Sequence, residues 1–385
     1  MAALWPVLGA AARISARKTM GRMMVKPWIA GPMAAAAVML SAIGSASAGE
    51  SEKYTVVSGL PAGHPAVRIF REHFRAAVER HMAEAEPGFT IKWRPAYDGT
   101  IAKFGDVLEA ISDGIGDFGL IAITSDSRQL PLQDISFHLP FVTTDCAVAA
   151  GAYHDLHKQM VEINQPWQQA GQVYLANITT DGYGLFTGPK IKKIEDLRGL
   201  TLAVAVRIEP WLTGLPAKPF RMPFGQFAGA LEADAVQGVI VPITEIAEFK
   251  LERQLNNYLL TEFGPQTAYA ITFNARRFAD MSGSLRAALL AAADEFVPVG
   301  AQAYCETGED TLNKFKKAGM RTQRFFRSRR EQWVAALPPL GRLWAKARED
   351  EGFAGSEILT AYMDNLRAAG ATPKRHWDLD DAPLN

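Results

Sequence analysis

The feature that most constrains the fold is an alternation of strand-like and helix-like segments over residues 54–123. The β-branched segment 54–58 predicts a strand, and apolar residues recur at helical spacing over 66–83. A second strand is predicted at 89–93, and another helix follows it. The near-continuous apolar run 118–123 is typical of a parallel strand that is buried on both faces. This β-α-β-α-β order predicts an α/β domain with right-handed crossovers.

The remainder of the chain continues the same mixture of elements. Strands are predicted at 174–178, 200–206, 238–241 and 269–274, and helices at 145–170, 224–233, 285–315 and 334–369, the last with a break at Pro338-Pro339. Because strands and helices keep alternating without an internal repeat, the pattern favours two α/β lobes with several crossings between them.

The first 48 residues have the layout of a cleavable signal peptide. Five Lys or Arg residues come first, the apolar run 33–43 follows, and Ala46-Ser47-Ala48 matches the pattern that signal peptidase reads. We therefore expect cleavage after Ala48 and a periplasmic location; a retained anchor is the alternative. Without these five, 36 of the 41 basic residues remain against 41 acidic ones, a net charge near −5. This charge argues against nucleic acid as a partner.

Motifs for catalysis and metal binding are missing from the sequence. We find no phosphate-binding Gly-Lys-Ser/Thr loop, no Gly-x-Ser-x-Gly and no Cys-x-x-Cys. His154 and His157 could share a metal, but two surface histidines on an amphipathic helix are the favoured interpretation. Cys146 and Cys305 allow either one disulfide or two buried thiols, and their spacing does not decide between them. We expect no enzyme activity, no metal and no cofactor.

An exported two-lobed chain without catalytic motifs favours a binding protein. A cleft between two α/β lobes is a natural ligand site, because strand ends and helix N-termini converge there. Closure of the two lobes around a ligand is a known kind of conformational switch. An exported enzyme, and a sensor or scaffold that transports nothing, are the alternatives.

Several segments resemble, in the same order, the solute-receptor subunits of TRAP transporters, the DctP-like family. These segments are 106–114 (DVLEAISDG), 131–141 (PLQDISFHLPF), 194–200 (IEDLRGL), 227–238 (FAGALEADAVQG) with Pro242 after it, and 312–320. The resemblance implies a two-lobed, type II-like periplasmic binding fold with a long helix that spans both lobes. It also implies a receptor that captures a small organic solute and delivers it to membrane permease subunits. We expect this receptor to be a monomer. The lobes implied are 49–180 plus 269–308, and 181–268 plus 309–385.

The chain departs from the family pattern where ligand carboxylates are held. Ala203 and Gly184 stand at the positions of two family arginines, and Val241 replaces a polar residue before Pro242. The usual bidentate contact between arginine and a carboxylate therefore cannot be carried over. C4-dicarboxylates are expected to bind poorly.

Two explanations of these departures compete. In the first, another cation holds the ligand carboxylate. The main candidate is Arg207, because strand alternation would place it on the same face as Ala203 if the strand continued. Arg94 and Arg221 are further candidates. Alternatively the ligand carries no carboxylate and an aromatic cleft holds it, which the three changes together favour slightly. The predicted ligand-binding residues are Tyr97, Thr124, Tyr183, Arg207, Trp211, Phe220 and Val241, and Phe186 belongs to the same aromatic set.

Overall fold

The structure is a computed structural model that describes residues 51–125 and 128–379. The predicted signal peptide lies outside these residues. Within them, every helix is too short or too polar to cross a membrane. All of the described residues fall in one compact unit, and this unit contains two separate β-sheets with helices packed on them.

The first sheet has five strands in the order β2-β1-β3-β10-β4. Strand β1 is parallel to both β2 and β3, and β10 is antiparallel to β3 and β4. The prediction that 118–123 lies between parallel neighbours was therefore wrong on one side, because β10 returns from a distant part of the chain. The strands of this sheet are β1 (Ser51–Val57), β2 (Thr90–Ala96), β3 (Phe118–Ala122), β4 (Gln172–Thr179) and β10 (Thr267–Asn274).

The second sheet has six strands in the order β11-β9-β5-β8-β6-β7. Strand β5 is antiparallel to β8 and β9, whereas β6 is parallel to β7 and β8, and β11 is parallel to β9. The chain thus passes between the sheets after β4, after β9 and again before β11. The strands of this sheet are β5 (Tyr183–Thr187), β6 (Thr201–Val204), β7 (Lys218–Arg221), β8 (Gly238–Pro242), β9 (Asn257–Gly264) and β11 (Arg321–Arg324).

Twelve α-helices surround the two sheets in the described residues, and a π-helical turn at Phe70–Phe74 joins the first two into one rod. They are α1 (Pro65–Ile69), α2 (Arg75–Ala85), α3 (Val107–Ser112), α4 (Cys146–Gln159), α5 (Gln165–Gln169), α6 (Phe227–Glu232), α7 (Ile243–Glu248), α8 (Ala275–Asp280), α9 (Gly283–Lys317), α10 (Arg327–Ala336), α11 (Leu340–Asp350) and α12 (Gly355–Ala368).

Helix α9 is the element that links the hydrophobic cores of the two sheets. Ser282 caps its N-terminus by accepting a hydrogen bond from the Leu285 backbone N–H at 3.1 Å. Its first half, up to Tyr304, packs in the core of the first sheet. Near its end, Leu312 and Phe315 pack against an apolar cluster of the second sheet. The prediction of one very long helix in this region is therefore confirmed, with 35 residues.

The two cysteines form a disulfide between helices α4 and α9. Cys146 is the first residue of α4, and Cys305 lies in α9, with 6.4 Å between their Cα atoms. This settles the alternative that the sequence left open. The bond fixes the start of α4 to the helix that touches both cores.

The C-terminal helices pack against α4 and against the segment that leads into it. The indole Nε1–H of Trp344, in α11, donates to Asp134 Oδ1 at 2.9 Å, and the Asn365 amide in α12 donates to the Ala152 carbonyl at 3.3 Å. Trp377 is fully buried and donates from Nε1 to the Pro140 carbonyl at 2.9 Å. Residues 340–379 are thus fastened to 134–152 by buried indole and amide hydrogen bonds.

Candidate functional site

The positions of the two family arginines lie on either side of β8 in the second sheet. Gly184, in β5, is paired with Val241, and Ala203, in β6, is paired with Val239. The register therefore places both positions beside the same strand, β8. Neither position offers a cation.

The ring of Tyr258 fills the space beside Gly184. A Cβ atom added to Gly184 would lie 2.9 Å from both Cζ and Oη of Tyr258, and nearer still to its Cε2. The same ring stacks on Phe186 with 4.3 Å between the centroids. Ala203 is fully buried in the apolar cluster that also contains Tyr258 and Phe186. The volume that an arginine side chain would need is therefore taken by apolar and aromatic groups.

Trp211 lies in the core, where its ring nitrogen and its backbone carbonyl both form hydrogen bonds. Its side chain is 0% exposed, and Nε1–H donates to the Phe137 carbonyl at 2.7 Å. Its own carbonyl accepts a hydrogen bond from Trp333 Nε1–H at 2.8 Å. The ring also packs against Phe263 and Tyr183. These contacts give Trp211 a structural role in the core. If it also contacts a ligand, it does so in addition to this role.

Arg207 is not brought to the face of Ala203. Strand β6 ends at Val204, so the condition under which strand alternation would place both residues on one face is not met. Arg207 is exposed in the turn that precedes Glu209. Arg221 forms an ion pair with Glu209, with 3.1 Å between Nε and Oε1.

The other predicted residues are scattered. Phe220 is 52% exposed on the edge strand β7, and Thr124 is half-buried after β3. Tyr97 is buried in the core of the first sheet, and Val241 is buried in β8. The structure therefore does not assemble the predicted set into one constellation. Tyr183 is the member that lies beside other buried polar groups.

These groups form what we call the inter-sheet cluster. Its side chains come from both sheets and from the linking helix: His64 caps α1, Tyr269 lies in β10, Tyr183 in β5 and Tyr304 in α9. Every member is at most 6% exposed. The complete cluster is His64, Asp181, Tyr183, Thr244, Glu245, Tyr269 and Tyr304.

Asp181 lies in the connection between β4 and β5, where the chain first passes from one sheet to the other. Its Oδ2 accepts a hydrogen bond from the Ile243 backbone N–H at 2.9 Å, and its Oδ1 accepts one from the Thr244 hydroxyl at 2.5 Å. Burial raises the pKa of Asp181 to about 7, despite these two bonds. The carboxyl group thus holds the first turn of α7 against the sheet crossing and titrates near neutrality.

His64 and Glu245 face one another from opposite sheets. His64 Nδ1 accepts a hydrogen bond from the Ala66 backbone N–H at 3.2 Å, which places the ring proton on Nε2. This Nε2 lies 3.6 Å from Glu245 Oε1. That separation is an ion-pair distance and exceeds the length of a normal hydrogen bond. Glu245 is only 4% exposed, so this contact lies inside the protein.

Three tyrosine hydroxyls surround this carboxylate. Burial raises the pKa of Tyr183, Tyr269 and Tyr304 well above the ordinary value, and the charge of Glu245 raises each further. Tyr304 Oη is buried and makes no hydrogen bond of normal geometry in the described structure, although the Thr244 side chain is near enough to lower its pKa against the larger effect of burial. A buried hydroxyl without a well-formed hydrogen bond is rare in proteins. The cluster therefore contains a hydroxyl with unused hydrogen-bonding capacity close to the Glu245 carboxyl group.

Sequence reasoning found Tyr183 in this cluster and missed the rest. Glu245 carried one usable signal, because an acidic residue follows closely on the buried strand β8 and Pro242. His64 carried a weaker one as a histidine between two turn-forming residues, Gly63 and Pro65. Their proximity depends on contacts between distant segments, which no local pattern encodes.

The two histidines considered as metal ligands are buried, so the interpretation as surface residues was wrong. His154 Nε2 lies 2.8 Å from Asp294 Oδ1, and His157 Nε2 lies 2.8 Å from Gln133 Oε1. Burial lowers the pKa of His157 to about 3. Across residues 51–125 and 128–379, no group of three or more His, Cys, Asp or Glu side chains could hold a metal ion.

The comparisons with known proteins agree with this architecture. Residues 59–347 match DctP, described as bacterial extracellular solute-binding protein, family 7. The search of curated proteins found no match. Among solved structures, a marine metagenome TRAP solute binding protein specific for aromatic acid ligands has a TM-score of 0.71 at 19% identity, and the match covers 83% of this chain and 99% of that one.

Two further solved structures have the same fold. A TRAP solute binding protein from Rhodoferax ferrireducens, in complex with copurified benzoate, has a TM-score of 0.70 at 14% identity, covering 83% of this chain and 98% of that one. An extracytoplasmic solute receptor from Bordetella pertussis, binding pyroglutamic acid, has a TM-score of 0.67 at 17% identity, covering 82% and 100%. The predicted α/β, two-lobed binding-protein fold is thereby confirmed.

Proposed function

Since this chain belongs to the bacterial extracellular solute-binding proteins of family 7, the DctP family, we propose that it is the periplasmic receptor of a TRAP-type transporter. It captures a small organic solute and delivers it to membrane permease subunits, and it performs no chemistry on the solute. The observation that carries this proposal is the family match over residues 59–347 together with a buried polar cluster between the two sheets.

The solute binds between two lobes, each built on one of the sheets. The lobes are residues 49–180 plus 269–308, and 181–268 plus 309–385, so that His64 and Tyr269 belong to one and Glu245 to the other. Support comes from the distribution of strands, since β1 to β4 and β10 share one sheet and the remaining strands share the other. Opening the lobes would separate His64 from Glu245, and closing them on a solute would bring both to it.

The inter-sheet cluster is the proposed binding site. Tyr183, at the start of β5, belongs both to this cluster and to the residues predicted from the sequence. Val241 and Thr124 lie at the ends of strands that lead to the same crossing, whereas Arg207, Trp211, Phe220 and Tyr97 contribute at most through the walls of the cleft. Four of its seven side chains are aromatic rings and all seven carry a polar group, so the site combines apolar surface with the polar groups that orient a small molecule.

The molecules bound in the solved relatives suggest the size of the solute. Their bound molecules are small organic acids such as benzoate and pyroglutamic acid. We propose a solute of similar size for this chain. The absence of arginine at positions 184 and 203 distinguishes its site from a carboxylate clamp of the kind that the family resemblance implies.

The location and partner follow from the same proposal. Residues 1–48 direct export and are removed after Ala48, and the mature receptor works as a monomer with its permease. Mass analysis of the protein purified from a periplasmic extract checks the export step: the first residue should be Gly49, and an intact N-terminus in the membrane fraction would contradict it.

A thermal-shift screen tests the receptor function. The secreted protein is screened against small organic acids, amines, sugars and aromatic compounds, because a solute that binds only the folded state raises the melting temperature. At least one class should give a saturable increase, and isothermal titration calorimetry should give a stoichiometry of one. Nuclear magnetic resonance of the recovered solute should show it unchanged. A screen without any binder, or a consumed solute, would overturn the proposal.

A further inference from the structure

The inter-sheet cluster contains two buried carboxyl groups and neither Lys nor Arg. Asp181 and Glu245 are both at most 4% exposed, and among the described residues no Lys or Arg forms an ion pair with either. The basic group that contacts Glu245 is the His64 imidazole, with 3.6 Å between Nε2 and Oε1. A buried carboxylate is stable only when it is paired and hydrogen-bonded. In the described structure Glu245 is thus paired with a histidine and with no Lys or Arg.

Tyr304 independently shows that a polar partner is missing. It is fully buried in α9, and its hydroxyl has no hydrogen bond in the described structure. The hydroxyl lies close enough to Glu245 and Asp181 for their charges to raise its pKa, after the larger effect of burial. A hydroxyl without a well-formed hydrogen bond thus lies close to the two buried carboxyl groups.

The strand ends beside the cluster do not supply the missing positive charge. Gly184 is packed against the Tyr258 ring, and Ala203 is buried in an apolar cluster. Arg207, on the turn after β6, is exposed. A solute carboxylate placed here would meet two acids and would find no guanidinium in the described cluster.

We propose that the recognised group of the solute is a protonated amine, held by the carboxylate of Glu245 and by the hydroxyls of the neighbouring tyrosines. This inference rests on the proposed receptor function and specifies its ligand class. An ammonium group donates three hydrogen bonds and would satisfy both Glu245 and Tyr304. Tyrosine rings add a favourable interaction with cations. His64 Nε2, which faces Glu245 from the other sheet, is placed to contact another part of the solute.

Matched pairs of amines and acids test this inference on the unmodified protein. The probes are benzylamine with benzoate, 2-phenylethylamine with phenylacetate, and butylamine with butyrate, each titrated near neutral pH by calorimetry and by thermal shift. Within a pair the carbon skeleton is nearly constant and the charge is reversed. We expect an amine to bind at least about tenfold more tightly than its acid counterpart, which corresponds to about 1.4 kcal/mol. Tighter binding of the acid, or binding of none of the amines, would overturn the inference.

A charge-neutral variant locates the contact. Glu245→Gln should weaken amine binding about 10- to 100-fold, the usual effect of removing a charged hydrogen-bond partner. Glu232→Gln is the matched control, because it makes the same change on the second sheet's side of the molecule at the exposed end of α6, outside the cluster. Its amine affinity should stay within about twofold of the original. Equal losses in both variants would contradict a specific role for Glu245.

The outcomes separate this inference from the receptor function. If an acid or sugar binds in the general screen and Glu245→Gln leaves its affinity unchanged, the protein is a receptor and the amine assignment is wrong. If no solute of any class binds, the receptor function itself is wrong. Should Glu245→Gln fail to fold, Tyr304→Phe removes only the hydroxyl, and it should still lower amine affinity relative to the unmodified protein. An unchanged affinity in Tyr304→Phe would then overturn the assignment.

Discussion

Cys146 and Cys305 join the first residue of α4 to the long helix α9 across a sequence separation of 159 residues. Closing so long a loop restricts the unfolded chain, and native disulfides typically add about 2–4 kcal/mol to the free energy of unfolding. The double variant Cys146→Ala/Cys305→Ala should lose about this amount in urea denaturation. Dithiothreitol should lower the midpoint of the unmodified protein and leave that of the double variant unchanged. Equal midpoints with and without reductant in the unmodified protein would contradict a bond in solution.

Gly184 is predicted to tolerate no side chain while Tyr258 is present. Gly184→Ala should lower the free energy of unfolding by about 1–3 kcal/mol, because its Cβ would overlap the Tyr258 ring. In a Tyr258→Ala background the same substitution should be nearly neutral. Gly182→Ala is the control, since the nearest atom to its Cβ is 4.0 Å away. An equal loss in both backgrounds would show that the ring is not the cause.

Asp181 should make stability fall as the pH rises towards neutrality. Its pKa in the folded protein, about 7, exceeds that of an unfolded aspartate, so the folded state binds more protons between about pH 4 and 7. The stabilising contribution is complete below about pH 4 and is lost as the pH rises through about 7, with a slope of up to about 1.4 kcal/mol per pH unit. Asp181→Asn should remove this slope. Urea denaturation of both proteins from about pH 4.5 to 8 measures it; parallel profiles would contradict the assignment.

Trp211 and Phe220 should respond very differently to truncation. Trp211→Ala removes a fully buried indole and its hydrogen bond to the Phe137 carbonyl, and should lower the free energy of unfolding by about 3–5 kcal/mol. Phe220→Ala, on the exposed edge strand β7, should change it by less than about 0.5 kcal/mol. Chemical denaturation measures both. A mild effect of Trp211→Ala would mean that its ring belongs to a cleft wall and not to the core.

C4-dicarboxylates should bind poorly. Succinate, malate and fumarate would place two carboxylates near Glu245 and Asp181 without an arginine at position 184 or 203. Each missing charge-assisted hydrogen bond removes about 1.5–3 kcal/mol of binding energy. None of the three acids should raise the melting temperature at millimolar concentration. Tight succinate binding by calorimetry would show that another cation completes the site.

Local patterns predicted the alternating elements well and the contacts between them poorly. The helix at 285–315 and the strand at 238–241 could be predicted because each has a long or unbroken apolar pattern. Strand β7 was missed, since all four of its residues are exposed and it carries no apolar alternation. Strand β9 was missed as well, although Gly264-Pro265 marks its end with a turn signal.

The candidate site was the least predictable part, for a physical reason. His64 and Glu245 are far apart in the sequence, and their contact exists only because two sheets meet at one crossing. Strand alternation suggested Arg207, but alternation holds only while the strand lasts, and β6 ends at Val204. Steric exclusion at Gly184 also depends on a ring from β9, a strand that comes much later in the sequence.

The length of α9 sets a limit on how this chain can vary during evolution. With 35 residues the helix extends roughly 50 Å, and each inserted or deleted residue would rotate everything beyond it by about 100°. Gly308 lies against the Asp181 side chain, because a Cβ atom added to this glycine would be 2.9 Å from Asp181 Cγ. A single-residue insertion between Cys305 and Leu312 would therefore turn a different face of α9 towards the apolar cluster of the second sheet. Length changes should accumulate in surface turns, while this helix keeps a fixed number of residues.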